Sequence, residues 1–263
     1  MAFARELMGN YLSAPAGVST PYFAPATADL FQKYYGLDPD RFRQEKIDSN
    51  RFVLDRLDGI RSRVEAAEDP VYAGLQFAIL GNYIDFSALG GEVSFEVLDD
   101  LLHRGEQYVL DQAAYRRFCA DMDSAKTLLY ITDNAGEIGF DRVLAEQIHL
   151  RWPSVAITFC VRGGPAMNDA TREDARAVGI TFPVIDSGSR INGMEIPYIG
   201  QEARSALESA DVVIAKGQGN TETMLGCGYN VYYAFLVKCR RFTAQFGKPK
   251  LTPMFLRERD VTE

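Results

Sequence analysis

The chain has 263 residues, of which 47% are hydrophobic, 11% aromatic and 24% charged. That composition suits one large or two modest folded domains and argues against a disordered chain. A formal net charge of −8 without any basic block disfavours a nucleic-acid or anionic-membrane partner, and no run of about 18 apolar residues is present to form a transmembrane helix.

The N-terminal stretch MAFARELMGNYLSAPAGV carries Arg5 and Glu6 without a long apolar run, which makes a poor signal peptide. From 40 to 66 the positions Phe42, Ile47, Leu54, Leu57, Ile60 and Val64 repeat at helical spacing. Asp69-Pro70 punctuates this helix, because proline fits a first turn and not an interior. VYAGLQFAILGNYIDF, 71–86, is apolar on most sides and predicts a buried helix. SFEVLDDLLHRG offers Ser94 as N-cap and Gly105 as a stop. QYVLDQAAYRRFCADMDSA predicts a further amphipathic helix, and no strand is expected before Lys126.

The second half alternates. Short β-branched apolar runs at 126–132, 155–161, 181–186 and 211–217 are separated by helical patterns at 138–150, 170–178 and 200–209. Alternation of this kind builds βαβ units and a parallel sheet covered on both faces. Another strand is expected at 229–238, then a helix near 239–246. LTPMFL predicts a last strand, restricted to the edge by Pro253. The expected fold is therefore α/β: a three-layer α/β/α core with a mostly parallel sheet over 123–263, preceded by an all-helical region over 1–122. Cys119, Cys160, Cys227 and Cys239 form no CxxC pair, so reduced thiols in a cytoplasmic protein are expected.

Ligands of open α/β sheets bind beyond the carboxyl ends of the strands. Three such ends carry polar clusters here: Thr132, Asp133, Asn134, Gly136 and Glu137 after the first; Arg162, Gly163, Gly164, Asn168 and Asp169 after the second; Lys216, Gly217, Gln218, Gly219 and Asn220 after the fourth. Asp and Asn oxygens are hard ligands suited to Mg²⁺ or Mn²⁺. With no His or Cys in these loops, zinc is disfavoured. The glycines, Gly217 among them, let backbone N–H groups approach an anion, and Lys216 supplies a point charge. A divalent metal, a lysine and backbone amides together suit phosphoryl transfer.

Singly, each cluster reads as an ordinary turn or helix start; their coincidence on one sheet edge points to a site. Asp133 lacks the second aspartate two residues on that a haloacid-dehalogenase-type phosphatase would need. Neither DNAGEIG nor GQGNTE supplies the GxGxxG of a dinucleotide site, and KGQGN is not a P-loop. Arg162 is a further candidate for phosphate contact, set against the plainer reading of an exposed loop arginine. Asp141 reads as an ordinary helix residue.

DNAGEIGFD, GGPAMNDAT, DVVIAKGQGN and LVKC resemble, in order and spacing, the damage-control phosphatase family, also called protein-glutamate O-methyltransferase-like, and its bacterial and archaeal branch in particular. GLDPDRF and GNYIDF match as well, so the resemblance spans about residues 36 to 246. It implies an α/β/α core behind a helical region, and hydrolysis of phosphate monoesters such as sugar phosphates or damaged phosphometabolites, supported by Mn²⁺, Co²⁺, Ni²⁺ or Mg²⁺. It places Asp133, Asn134 and Asp169 as metal ligands and Lys216 and Lys238 as lysines that contact substrate. Glu137 and Asn220 fall near the substrate, Asn168 beside Asp169, and Asn82 and Asp85 in a helical motif that could reach the site. The sequence departs from the branch in lacking an N-terminal CxxC pair. Two other classes stay open at this point: a non-enzymatic metal- or nucleotide-binding module, and an S-adenosylmethionine-dependent carboxyl methyltransferase, for which paired Asp-Asn ligands have no clear use.

Overall fold

The computed structural model describes residues 1–85 and 94–262. The helical region comprises α1 (Ala2–Ser13), α2 (Ala24–Tyr35), α3 (Arg43–Ala66), α4 (Pro70–Gly81), α5 (Phe95–His103) and α6 (Gln112–Ser124). It is followed by β1 (Thr127–Ile131), α7 (Glu137–Arg151), β2 (Ala156–Val161), α8 (Arg172–Ala177), β3 (Val184–Asp186), α9 (Gln201–Ser209), β4 (Val212–Lys216), α10 (Gly217–Met224), β5 (Val231–Leu236), α11 (Arg240–Phe246), β6 (Pro253–Arg257) and α12 (Glu258–Thr262). Among the described residues no helix is long and apolar enough to cross a membrane.

Local chemistry accounts for the helix starts. The Asp69 carboxylate accepts from the backbone N–H of Tyr72 (3.1 Å), with Pro70 in the first turn of α4. Ser94 caps α5 through Val97 N–H. Two expectations need shortening. The helix expected over 71–86 stops at Gly81, and its last expected residue, 86, lies outside the described residues. The helix expected from 107 begins at Gln112, because Asp111 caps it by accepting from Ala113 and Ala114 N–H (both 2.8 Å).

The sheet runs β3-β2-β1-β4-β5-β6. The first five strands pair in parallel, while β6 runs antiparallel to β5 on the edge, where Pro253 is tolerated. One face packs under α3, α4, α6 and α7. The other is covered by α9, α10 and α11. Glycine brings the helical region close to the core: a Cβ on Gly81 would collide with the Phe140 ring, and one on Gly139 would sit 2.7 Å from Val53 Cγ1. The stretch from Gly217, expected as a glycine loop, is instead α10, which starts directly at the end of β4.

Candidate active site at the sheet switch point

β1 and β4 are neighbours, and the chain leaves them towards opposite sides of the sheet, so a crevice opens beyond their carboxyl ends. The loops after β1 and β2 are laced together there. Ala170 N–H donates to the Asp133 carbonyl (2.7 Å) and Ala135 N–H to that of Asn168 (2.9 Å), which sets Asn134 opposite Asp169 as an isolated antiparallel bridge. From the helical region, Asn50 accepts Gly136 N–H (2.7 Å). Gly217 has φ +79°, and a Cβ on it would collide with the Asp133 carboxylate. Its expected service to an anion is thus, in this geometry, room for a carboxylate.

The side chains converge in two connected groups. In the first, Asp133 Oδ2 accepts from Asn82 Nδ2 (2.9 Å) and Asn134 Nδ2 (2.8 Å). Asp169 Oδ2 accepts from Arg162 Nε (2.6 Å), and its Oδ1 from Asn192 Nδ2 (2.9 Å). Arg162 Nη2 also donates to Asn220 Oδ1 (2.9 Å) and lies 4.0 Å from Asp133 Oδ1. Asn220 ties the loop backbones, donating to the carbonyls of Thr132 (3.0 Å) and Lys216 (2.6 Å). Asn168 Nδ2 donates to the Ile84 carbonyl (3.1 Å).

The second group lies just beneath. Glu137 Oε2 accepts from Asn82 Nδ2 (2.9 Å) and Asn134 Nδ2 (2.8 Å), and its Oε1 from Lys216 Nζ (2.6 Å). Lys216 Nζ donates as well to Asp141 Oδ1 and the Ala78 carbonyl (both 2.8 Å), which occupies all the donors of an ammonium. Tyr130 Oη donates to Asp141 Oδ1 (2.8 Å). Lys238 Nζ donates to Asp85 Oδ2 (2.7 Å).

Two expectations are corrected. Arg162 is not an exposed loop arginine: it is 1% exposed, held between Asp169 and Asn220. Asp141 is not an ordinary helix residue: it is fully buried against Lys216 and Tyr130. Its signal was available, since residues four apart share a helix face and Asp141 follows Glu137 at that spacing. Asn192 gave no signal; it sits in an irregular segment and only the fold brings it to Asp169.

Charge sets the chemistry. Asp85, Asp133, Glu137, Asp141 and Asp169 are all buried, and Arg162, Lys216 and Lys238 are the buried cations among them. With every one ionised, the cluster is left two charges negative. Burial, then the charges of Asp169 and Glu137, push the Asp133 carboxyl well above the usual carboxylate range. Burial also raises Asp169, against the pull of Arg162. Asp141 is pushed up to about 7 by burial, opposed by Lys216. Burial would lower Lys216, but Asp141 and Glu137 outweigh it and raise the ammonium to about 12. Buried Arg162 Nη1 and Asn168 Oδ1 have no partner among the described residues. Nor do three or more His, Cys, Asp or Glu gather there as a metal-binding group. The fit to a metal therefore rests on a mixed set, two carboxylates and a carboxamide. These are hard oxygen donors in a cluster that a divalent cation would neutralise.

The chain matches the damage-control phosphatase ARMT1-like domain family over residues 6–252. It is similar to an uncharacterised protein of Methanocaldococcus jannaschii, 34% identical over 239 residues that cover 87% of this chain and 77% of the relative. It is 30% identical over 221 residues to a damage-control phosphatase of Pyrococcus horikoshii, covering 83% of this chain and 74% of the relative. The fold is similar to the crystal structure of a DUF89 family protein from the same archaeon, with TM-score 0.75, 30% identity, and coverage of 89% of this chain and 80% of that one.

Proposed function

Since the chain belongs to the damage-control phosphatase family and is a phosphatase, we propose that it hydrolyses small phosphate monoesters, sugar phosphates or damaged phosphometabolites, at the cradle of Asp133, Asn134 and Asp169. The phosphatase naming of the family and of its archaeal members favours hydrolysis over the binding-module and methyltransferase readings. The observation that carries the proposal is the bridge that locks Asn134 against Asp169 beside the Asp133 carboxylate.

These three residues would hold Mn²⁺, Co²⁺, Ni²⁺ or Mg²⁺, and Asn134 suits the task because its amide nitrogen, engaged with Asp133 and Glu137, leaves its carbonyl oxygen for a cation. Such a cation, when bound, supplies Lewis acidity at a phosphate oxygen and acidifies a water. The remaining work falls to the chain. Arg162 and Asn192 fix the two oxygens of Asp169, and Arg162 Nη1 is a spare donor for phosphate. Lys238, held by Asp85, balances the ester's charge. Lys216, with its donors occupied, acts through Glu137, which orients Asn134. Asn168 and Asn220 hold the loops, and Gly217 keeps space for Asp133. The helical region, 1–122, contributes Asn82 and Asp85; the core, 123–263, contributes the rest. Four free cysteines support a reducing, cytoplasmic setting.

The test is an assay of metal-stripped protein on p-nitrophenyl phosphate and sugar phosphates with Mn²⁺, Co²⁺ or Ni²⁺ added back. Turnover should require metal and vanish in Asp133→Ala with the fold intact. Full activity in that variant would refute the assignment.

A further inference from the structure

The buried stripe of α3 runs through Lys46, Asn50, Val53, Leu57, Ile60 and Val64. These residues share one helix face, which is apolar from Val53 onwards and polar where it meets the loops after β1 and β2. A lysine and a carboxamide on a packed face cost stability unless they are hydrogen-bonded, and here the partners lie on two separate segments. Asn50 Oδ1 accepts Gly136 N–H (2.7 Å), and its Nδ2 donates to Asp174 Oδ1 (2.9 Å). Lys46 Nζ pairs with Asp174 Oδ2 (2.7 Å). The same carboxylate oxygen accepts from the backbone N–H and the hydroxyl of Thr171 (both 2.8 Å).

These contacts frame the metal cradle. Gly136 lies two residues beyond Asn134, and Thr171 two residues beyond Asp169. The two loops already meet at the Asn134–Asp169 bridge; Asn50 joins them a second time, from the helical region. α3 seats directly on the first of them: Gly136 has φ +79°, and a Cβ there would lie 2.9 Å from that of Ser49. A divalent cation tolerates a spread of only about 0.2 Å in its ligand distances, and these ligands come from both loops. Sliding one loop against the other would stretch a metal–oxygen bond.

We propose that Asn50 is a positioning residue for the metal cradle: it fixes the loop bearing Asp133 and Asn134 against the loop bearing Asp169, and so sets the spacing of the three ligands. The proposal rests on the cradle reading of those residues.

Calorimetric titration of the full-length, metal-stripped protein with Mn²⁺ tests it. Asn50→Asp keeps an acceptor for Gly136 N–H but turns a carboxylate towards Asp174, and its Kd for Mn²⁺ should rise on the order of tenfold. The double variant Asn50→Asp, Asp174→Asn exchanges donor and acceptor across the contact at unchanged charge, and should recover most of that affinity. Val53→Ala, on the same helix face, removes core packing without touching the contact; its Tm should fall while its Kd for Mn²⁺ stays. Should Asn50→Asp not fold, Asn50→Ala leaves Asp174 with Lys46 and Thr171 and serves in its place: a Kd raised on the order of tenfold supports the proposal, and an unchanged one refutes it. An unchanged Kd in Asn50→Asp, a double variant that binds no better than the single one, or a rise in Val53→Ala as large as that in Asn50→Asp would each overturn the proposal while leaving the cradle in place. Absence of Mn²⁺ binding in the wild-type protein would overturn both.

Discussion

At the scale of the residue, Asp133 shows most clearly the conflict between stability and the proposed function. Its carboxyl is raised by burial and by neighbouring acids, so in metal-free protein the charged form is disfavoured. The sign follows: the folded pKa lies above the unfolded value of about 4, and stability from the neutral acid is lost as pH rises from there through the folded pKa. Metal-free protein should therefore melt lower at pH 8 than at pH 5. The variant Asp133→Asn should flatten that dependence and melt at or above the wild type at pH 8, while losing activity. A lower melting temperature for the variant across this range would contradict the account. Glu137 tests the support beneath: it accepts from both nitrogens of Asn134, so Glu137→Gln should weaken Mn²⁺ binding by about 10–100-fold, the usual effect of losing a partner of a metal ligand. Asp133, Asn134 and Asp169 stood out in the sequence because acids and amides at strand ends are chemically conspicuous. The burial of Arg162 did not, because the turn of its own loop that brings Asp169 back onto the guanidinium, and the approach of Asn220 from the segment after β4, are set only by the fold.

At the scale of the element, the strands were legible because β-branched runs between turn residues leave little choice. β3 came out shorter than expected, Val184–Asp186, since Pro183 immediately before it has no N–H to give the ladder. α10 was not legible: Gly217, Gly219 and Asn220 are poor helix formers, and the helix forms there because β4 ends against Asp133 and only a glycine can turn the chain in that space. Two alanine substitutions separate these effects. Gly226 has φ +89° with nothing within 4 Å of a built Cβ, so Gly226→Ala should cost about 1–2 kcal/mol of left-handed strain alone and leave turnover intact. Gly217→Ala adds a collision with the Asp133 carboxylate and should abolish Mn²⁺ binding. Equal effects of the two on Mn²⁺ affinity, read by calorimetry, would show that Gly217 serves only the backbone.

At the scale of the whole molecule, the split into a helical region and an α/β core describes the sequence better than the energetics. Phe140, Leu144 and Ile148 of α7 are buried in the same cluster as Phe77, Leu80 and Ile84 of the helical region, and Asn82 reaches Asp133 and Glu137 across that boundary. A fragment of 123–263 alone should therefore fail to give a cooperative melting transition, and a sharp transition would show the core to be autonomous. Metal should stabilise the intact chain by mass action, by about 2.7 kcal/mol at a hundredfold excess over Kd. The central claim is that Asp133, Asn134 and Asp169 form one metal cradle on which hydrolysis depends. Calorimetric titration of metal-stripped protein with Mn²⁺, wild type beside Asp169→Ala, tests it most directly: the account predicts one Mn²⁺ per chain in the wild type and none in the variant, and undiminished stoichiometric binding in Asp169→Ala would contradict it.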